Sequence, residues 1–312
     1  MCAERVIVVG GGVGGCVAAL EASKRGLSVT LVDEHPQNLA QMSLDAPYFY
    51  GSRLSSVLSD TSAIADRVLG ASPLLLDCLD AGVEILTSTI AWGNFVPGPN
   101  LTYSGERRLG LADSERSWLA SYEYLIIAPG ARDLVLSFPG WQLPGVIGAE
   151  GASTLLTRYQ ALGASRVVVL GSGNTGLRLA KRLVSSGCQV VAIVDVASDI
   201  RGQPSLGAEL KAAGVEFKLS TVIDAALGDR EVTAVRLVSL DAGKKPAGNV
   251  EVLETDTICV AIGMVPNIEL AAQSGCSLEY RMEMGGWVPA TDADWRTSIP
   301  FIYTIGDGAG FS

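Results

Sequence analysis

Two stretches of the chain share one pattern, in which an apolar run leads into three spaced glycines and a helical stretch. The first reads VIVVGGGVGGCVAALEASKRG from Val6, and the second reads VVVLGSGNTGLRLAKRLVSSG from Val167. An unbroken apolar run suits a parallel strand that is buried on both faces. Glycines in G-x-G-x-x-G spacing between such a strand and a helix are typical of a dinucleotide-binding β-α-β unit. The sequence therefore predicts two such units in one chain of 312 residues.

Each residue of the first copy has a distinct physical task. Gly10 permits a tight turn, Gly12 lets the backbone approach a pyrophosphate, and Gly15 lets the helix pack on the strand. The helix N-terminus offers free N–H groups and a partial positive charge to the phosphates. An acid that closes the next strand binds the ribose hydroxyls, and Asp33 fits this position, with Glu34 as the reserve candidate.

The second copy repeats these positions with Gly171, Gly173 and Gly176, and its strand ends at Asp195. A carboxylate there would repel a 2′-phosphate, which favours NAD(H) over NADP(H). Arg201 follows closely and weakens that preference. The alternative for either copy is a β-α-β unit that binds nothing, and this alternative is more open for the second copy.

The order of the later motifs resembles the flavoprotein superfamily that includes thioredoxin reductase and the pyridine-nucleotide oxidoreductases. SYEYLIIAPGARD (121–133), DTICVAIGMVPN (256–267) and SIPFIYTIGDGAG (298–310) are strands that run into glycine turns. The resemblance implies an α/β fold with two Rossmann-like domains of the three-layer ββα type, the second inserted into the first. It implies a first, FAD-binding domain at 1–140 and 267–312, and an inserted NAD(H)-binding domain at 141–266.

The resemblance also implies which residues contact the cofactors, with Asp307 at the ribityl chain of the flavin. The predicted cofactor-binding residues are Gly10, Gly12, Gly14, Gly15, Asp33, Glu34, Gly130, Gly306 and Asp307 for the first site, and Gly171, Gly173, Asn174, Gly176, Asp195 and Gly263 for the second.

A narrower resemblance involves GARDLVLSFPGWQLPGVIGAEGASTLLTRY (130–159) and LDAPYFYGSR (44–53). These segments are similar to the nucleotide-binding subunits of heteromeric sarcosine oxidases, opine oxidases, hydrogen cyanide synthase and L-proline dehydrogenases. The resemblance implies an FAD- and NAD(H)-dependent oxidoreductase that passes electrons. Its implied partners are an amine-oxidising flavoprotein subunit and an iron–sulfur subunit.

Two departures from these families keep alternatives open. EHPQNLAQM (34–42) lacks the Gly-Gly pair that many relatives carry along the flavin, and the first site could hold NAD or ATP instead of FAD. The sequence ends at GDGAGFS, where relatives continue with a helix over the flavin, so a truncated chain is one interpretation. A stand-alone NADH-dependent flavin reductase and a non-redox nucleotide-binding scaffold are the competing functions.

Composition excludes several other classes of protein. The net charge of −10 argues against nucleic acid and against an anionic membrane surface. No apolar run is long enough to span a bilayer and the N-terminus lacks a signal peptide, so a cytoplasmic protein is expected. Six cysteines without a C-x-x-C pair argue against a thiol–disulfide active site, and a single histidine argues against a metal. No catalytic residue is assigned, because hydride transfer between stacked rings depends on geometry.

Overall fold

The computed structural model describes residues 4–35, 66, 70–97 and 105–310. These residues divide into two compact units. The first unit contains the described residues up to 132 and from 264 onward, and the second contains residues 133–263. Among the described residues, the chain passes from the first unit to the second after residue 132 and returns to the first unit at residue 264. The assignment of 1–140 with 267–312 and of 141–266 to an FAD and an NAD(H) domain stays a prediction.

The described elements follow one another in three stretches of chain. The opening stretch holds β1 (Arg5–Val9), α1 (Val13–Lys24), β2 (Ser28–Val32), α2 (Pro73–Asp80), β3 (Glu84–Leu86), β4 (Ile90–Phe95), β5 (Arg108–Ala112), β6 (Ser117–Ser121), β7 (Tyr124–Ile127) and β8 (Ala131–Asp133).

The second unit then holds β9 (Val146–Gly148), α3 (Ala149–Thr157), β10 (Arg166–Leu170), α4 (Asn174–Ser185), β11 (Gln189–Val194), α5 (Pro204–Ala212), β12 (Glu216–Lys218), β13 (Thr221–Leu227), β14 (Ala234–Leu240), β15 (Pro246–Glu254) and β16 (Thr257–Val260). The returning stretch holds β17 (Met264–Pro266), α6 (Glu269–Gln273), β18 (Leu278–Arg281), β19 (Gly286–Pro289) and β20 (Ile302–Thr304), with 3-10 turns at Met282–Met284 and Gly306–Ala309.

The first unit is built on a parallel sheet in the order β20-β7-β1-β2-β3. Apolar side chains alternate between its two faces, since Val6 and Val8 belong to a core shared with α1 and α2. Ile7 lies instead in the core that contains Leu109 and Leu111 of the antiparallel β4-β5-β6 meander. The sheet is therefore covered on both faces, as its unbroken apolar strands require.

The second unit repeats this construction with different strands. Its parallel sheet has the order β12-β11-β10-β16-β9, and a three-stranded antiparallel sheet of β13, β14 and β15 accompanies it. Val167 and Val169 of β10 pack in the core with α3 and α4, whereas Val168 and Leu170 pack in the core with Val235 and Leu237 of β14. The predicted α/β fold with two Rossmann-like domains of the ββα type is thus confirmed.

Two further features of the described residues concern membrane-spanning helices and clusters of metal ligands. No helix among the described residues is long and apolar enough to cross a membrane. Within the same ranges, no group of three or more His, Cys, Asp or Glu side chains is arranged to hold a metal ion.

Candidate functional site

The first glycine loop connects β1 to α1 through two glycines that no other residue could replace without strain. Gly10 has a φ of +106°, and a Cβ atom on it would lie 2.0 Å from the Ala128 carbonyl oxygen. A Cβ atom on Gly15 would lie 1.9 Å from the Gly10 carbonyl oxygen. Both positions therefore serve the fold, because Gly10 admits the backbone that follows β7 and Gly15 lets α1 approach the end of β1.

Gly12 differs from these two glycines because its Cβ position is unobstructed by the described residues. Its φ of −72° and ψ of −179° are open to any residue, and no atom of those residues lies within 4 Å of the Cβ position. Gly12 caps α1, and within this helix neither a side-chain cap nor an acid in the first turn occupies the N-terminus. The result is a cradle of backbone N–H groups that a pyrophosphate would fill.

The Gly306–Asp307 turn lies beside this cradle. A Cβ atom on Gly14 would be 3.7 Å from the Gly306 Cα atom. The Asp307 side chain is exposed and has no hydrogen-bond partner among the described residues. The fold thus brings the Gly306–Asp307 turn next to Gly14 at the start of α1, as a single nucleotide site would require. Their contact with a flavin stays a prediction.

The second glycine loop closely reproduces the geometry of the first. Gly171 has a φ of +115°, and a Cβ atom on it would lie 2.3 Å from the Ala261 carbonyl oxygen. A Cβ atom on Gly176 would lie 2.1 Å from the Gly171 carbonyl oxygen. Gly173 again caps its helix with a φ of −71°, and none of the residues that the structure describes comes within 4 Å of its Cβ position. This loop fits a pyrophosphate on the same grounds as the first.

The acids of both copies are turned toward their own glycine loops. Asp33 is 9% exposed, and its carboxylate accepts hydrogen bonds from the N–H of Gly11 and, at 2.7 Å, from the N–H of His35. Asp195 is 4% exposed and accepts hydrogen bonds from the N–H and hydroxyl of Ser172 at 2.7 and 2.6 Å. Each acid therefore holds its loop in shape, and the predicted ribose contact stays a prediction.

The environment of Asp195 favours its ionised form. Burial by itself would raise its pKa, but the Ser172 hydroxyl and the N–H groups of Ala197 and Ser172 donate to the carboxylate, and Arg201 adds a positive charge. Together these donors lower the pKa of Asp195 below its usual value. A negative charge is thus fixed at the end of β11, next to the second loop.

The backbone of residues 201–203 forms a strap across the second loop, which the sequence did not predict. The N–H of Gly202 donates to the Ser172 carbonyl at 2.8 Å, and the N–H of Arg201 donates to the Ser172 hydroxyl at 3.2 Å. The N–H of Gln203 donates to the Asn174 side-chain oxygen at 2.8 Å. A Cβ atom on Gly202 would lie 2.9 Å from the Asn174 backbone nitrogen, so only glycine fits there.

The remaining predicted residues are placed as follows. Glu34 has an exposed side chain. The carbonyl of Gly130 accepts a hydrogen bond from the N–H of Asn267 at 3.1 Å, and no atom in the described part of the chain lies within 4 Å of the Gly130 Cβ position. The carbonyl of Gly263 accepts the N–H of Leu134 at 2.9 Å. Their contacts with a cofactor stay predictions, and the segments EHPQNLAQM and LDAPYFYGSR lie, apart from Glu34 and His35, outside the described residues.

Four of the five described cysteines are buried. Cys16 donates a hydrogen bond to the Gly11 carbonyl at 3.3 Å, and Cys78 donates to the Cys16 carbonyl at 3.5 Å. Burial raises the pKa of the Cys78 thiol, so this thiol is protonated and poorly nucleophilic. Cys2 lies outside the described residues. The absence of a thiol–disulfide active site stays a prediction.

A three-layer fold that carries two open glycine loops defines the class of two-domain dinucleotide-binding proteins. The chain belongs to the pyridine nucleotide-disulphide oxidoreductase family, whose model matches residues 4–311. Proteins of this family bind FAD and NAD(P)H, and both loops fit such cofactors. The predicted family resemblance is confirmed.

Individual relatives are distant. The chain is 25% identical to an opine oxidase subunit of Agrobacterium tumefaciens over 98% of the chain and 61% of the relative. It is 25% identical to hydrogen cyanide synthase subunit HcnB of Pseudomonas aeruginosa over 98% of the chain and 66% of that protein. The chain thus spans 61% and 66% of the length of these two curated relatives.

Among solved structures, the T. acidophilum thioredoxin reductase matches with a TM-score of 0.70 and 20% identity. The match covers 99% of this chain and 92% of that one. At this level of identity the likeness supports the fold alone.

Proposed function

We propose that the chain is the nucleotide-binding, electron-transferring subunit of a heteromeric oxidase or dehydrogenase that acts on amines, imino acids or opines. The first loop would hold FAD and the second NAD(H). The observation that carries this proposal is the repeated cradle, in which no atom of the described residues lies within 4 Å of the Cβ position of Gly12 or Gly173, each at a helix N-terminus without a side-chain cap. Bound flavin and nicotinamide would supply the hydride acceptor and donor.

The residues of the chain would bind and orient these groups. The N–H groups at the start of α1 and α4 would hold the two pyrophosphates, and Asp307 would accept hydrogen bonds from polyol hydroxyls beside the first loop. The charge on Asp195 supports NAD(H) rather than NADP(H) at the second loop, because it would repel a 2′-phosphate.

The heteromeric role rests on the relatives. The opine oxidase and hydrogen cyanide synthase proteins are subunits by name, and both match nearly the whole of this chain. An amine-oxidising flavoprotein subunit and an iron–sulfur subunit are therefore the partners we propose. We also propose that no thiol–disulfide site operates, since Cys16 and Cys78 are buried in the core beneath α1 and α2.

The decisive experiment compares two single-methyl substitutions. Gly12→Ala would place a Cβ in the first cradle, and we expect it to lower FAD content without unfolding the protein. Gly173→Ala would do the same to the second cradle, and we expect it to retain flavin but to raise the NADH concentration needed for anaerobic flavin bleaching by about tenfold or more. Gly70→Ala is the matched control, because its Cβ also enters free space.

Three results would argue against this function. Flavin content and NADH bleaching that survive unchanged in both cradle variants would show that the loops do not bind the cofactors. A strong amine-dehydrogenase rate from the isolated chain would show that it needs no amine-oxidising partner. Rapid NADH turnover with external acceptors, without any partner, would favour the stand-alone flavin reductase.

A further inference from the structure

A groove of about 500 Å³ in the second unit runs between α3 and α4, apart from the glycine loop. Its lining contains three cations and three hydroxyl side chains but no carboxylate. These residues are Leu156, Thr157, Arg178, Lys181, Arg182, Ser185 and Ser186. Such a concentration of positive charge is unexpected in a chain with a net charge of −10.

The cations line one face of α4 because of their spacing. Arg178, Lys181, Arg182 and Ser185 follow the i, i+3, i+4, i+7 pattern that brings side chains to the same side of a helix. At a rise of about 1.5 Å per residue, Arg178 lies about 6 Å and Ser185 about 16 Å along the helix from Asn174 at its N-terminus. The groove therefore extends well away from the position of a pyrophosphate at the second loop.

The cations of the groove are not neutralised to the same extent. Lys181 forms an ion pair with Glu209 at 2.9 Å, and Arg182 donates a hydrogen bond to the Ser153 hydroxyl at 2.5 Å. Arg178 has neither an ion pair nor a hydrogen bond to any described residue. The helix dipole stabilises a cation in the last turn of a helix, and this accounts for the presence of Arg182. It does not explain Arg178, the fifth residue of α4.

We propose that this groove binds a small multivalent oxyanion, either a phosphate ester or a polycarboxylate. Guanidinium groups pair with planar or tetrahedral oxyanions through two N–H donors each, and hydroxyls add further donors. The groove is open to solvent, since its three cations are exposed, so a bound anion would remain partly hydrated. The proposal is independent of the cofactor assignment, since it concerns other residues and another anion.

The test uses calorimetric titration of the full chain saturated with FAD and NAD⁺, so that both glycine loops are filled and no hydride transfer occurs. Inorganic pyrophosphate and citrate are the two probes, and they distinguish the phosphate source from the carboxylate source. We expect at least one probe to bind, with an affinity that falls as ionic strength rises. Arg178→Gln should weaken that binding about tenfold, because it removes a charge-assisted donor without breaking a contact within the protein.

The matched control is Arg230→Gln, which removes the same charge from an exposed loop of the same unit. Equal weakening in Arg178→Gln and Arg230→Gln would show a general effect of charge and would overturn the proposal. Absence of binding by either probe to the cofactor-loaded chain would overturn it as well. Arg178→Lys should restore part of the affinity, which a loss caused by altered folding would not allow.

Discussion

At the scale of single residues, the two copies share more than their glycines. In each copy, the acid after the second strand accepts a hydrogen bond from the backbone N–H of the residue that follows the first glycine. This residue is Gly11 in the first copy and Ser172 in the second. Ser172 adds a hydroxyl that the first copy lacks, and it is completely buried. The second loop is therefore held more firmly by side-chain contacts than the first.

We predict that Asp195→Asn destabilises the second unit by about 2 kcal/mol at neutral pH, because an amide nitrogen would face donors that now meet a carboxylate. The folded-state pKa of Asp195 is lowered, so its stabilising contribution is complete above the unfolded pKa of about 3.9 and is lost as pH falls through the folded pKa. The difference in unfolding free energy between wild type and variant should therefore shrink in acid.

Urea unfolding across that pH range measures this difference. Asp229→Asn, in an exposed loop of the same unit, serves as the control and should leave the unfolding free energy nearly unchanged at every pH. A destabilisation by Asp195→Asn that is constant from neutral to strongly acidic pH would refute the role of the ionised carboxylate.

At the scale of elements, the helix N-termini differ in whether a carboxylate of the chain binds their free N–H groups. The helices α1 and α4, which follow the glycine loops, have no side-chain cap. At α3, by contrast, the Asp133 carboxylate accepts hydrogen bonds from the N–H groups of Glu150 and Gly151 at 3.0 and 3.1 Å. The chain thus supplies its own anion to α3, whereas α1 and α4 receive no such side chain; the described helices α2, α5 and α6 also lack a side-chain cap.

We predict that Asp133→Ala lowers the unfolding free energy of the second unit by about 1 kcal/mol, as expected for the loss of an N-terminal cap. Dinucleotide binding at Gly173 should persist, because α4 begins elsewhere. Thermal unfolding with and without NADH measures both quantities. Asp133→Asn keeps one acceptor and should recover part of the loss; an unfolding midpoint for Asp133→Ala equal to that of the wild type would contradict the capping role.

At the scale of the whole molecule, each unit has its own pair of cores, one on either face of its sheet. A ligand that binds only one unit should therefore stabilise that unit first. At a concentration of about 100 times Kd, a ligand contributes about 2.7 kcal/mol of stability to the state that binds it.

We predict that NADH slows amide hydrogen exchange mainly in β10, α4 and β11, and that FAD slows it mainly in β1, α1 and the turn after β20. Hydrogen-exchange mass spectrometry with each cofactor alone resolves the two patterns. In Gly12→Ala, protection by FAD should disappear while protection by NADH remains. Protection of the same peptides by both ligands would refute the prediction that NADH and FAD bind at separate sites.

The two β-α-β units and the class of fold could be predicted from the order of residues alone. Local backbone geometry can be read from the sequence, because positive φ angles or close packing require glycine at four positions. These are Gly10, Gly15, Gly171 and Gly176. Buried parallel strands likewise demand unbroken apolar runs. These requirements act within a few residues, so spacing reveals them.

The hydrogen-bond partners of the polar groups in the two sites are decided only by the tertiary structure. The bonds of Asp33 to Gly11 and of Asp195 to Ser172 join residues 22 and 23 positions apart, and the strap from Arg201 reaches back 29 positions to Ser172. Such contacts depend on how separate loops fold back onto one edge of a sheet. The spacing of residues along a sequence does not encode that arrangement, because many loop paths are compatible with the same motif.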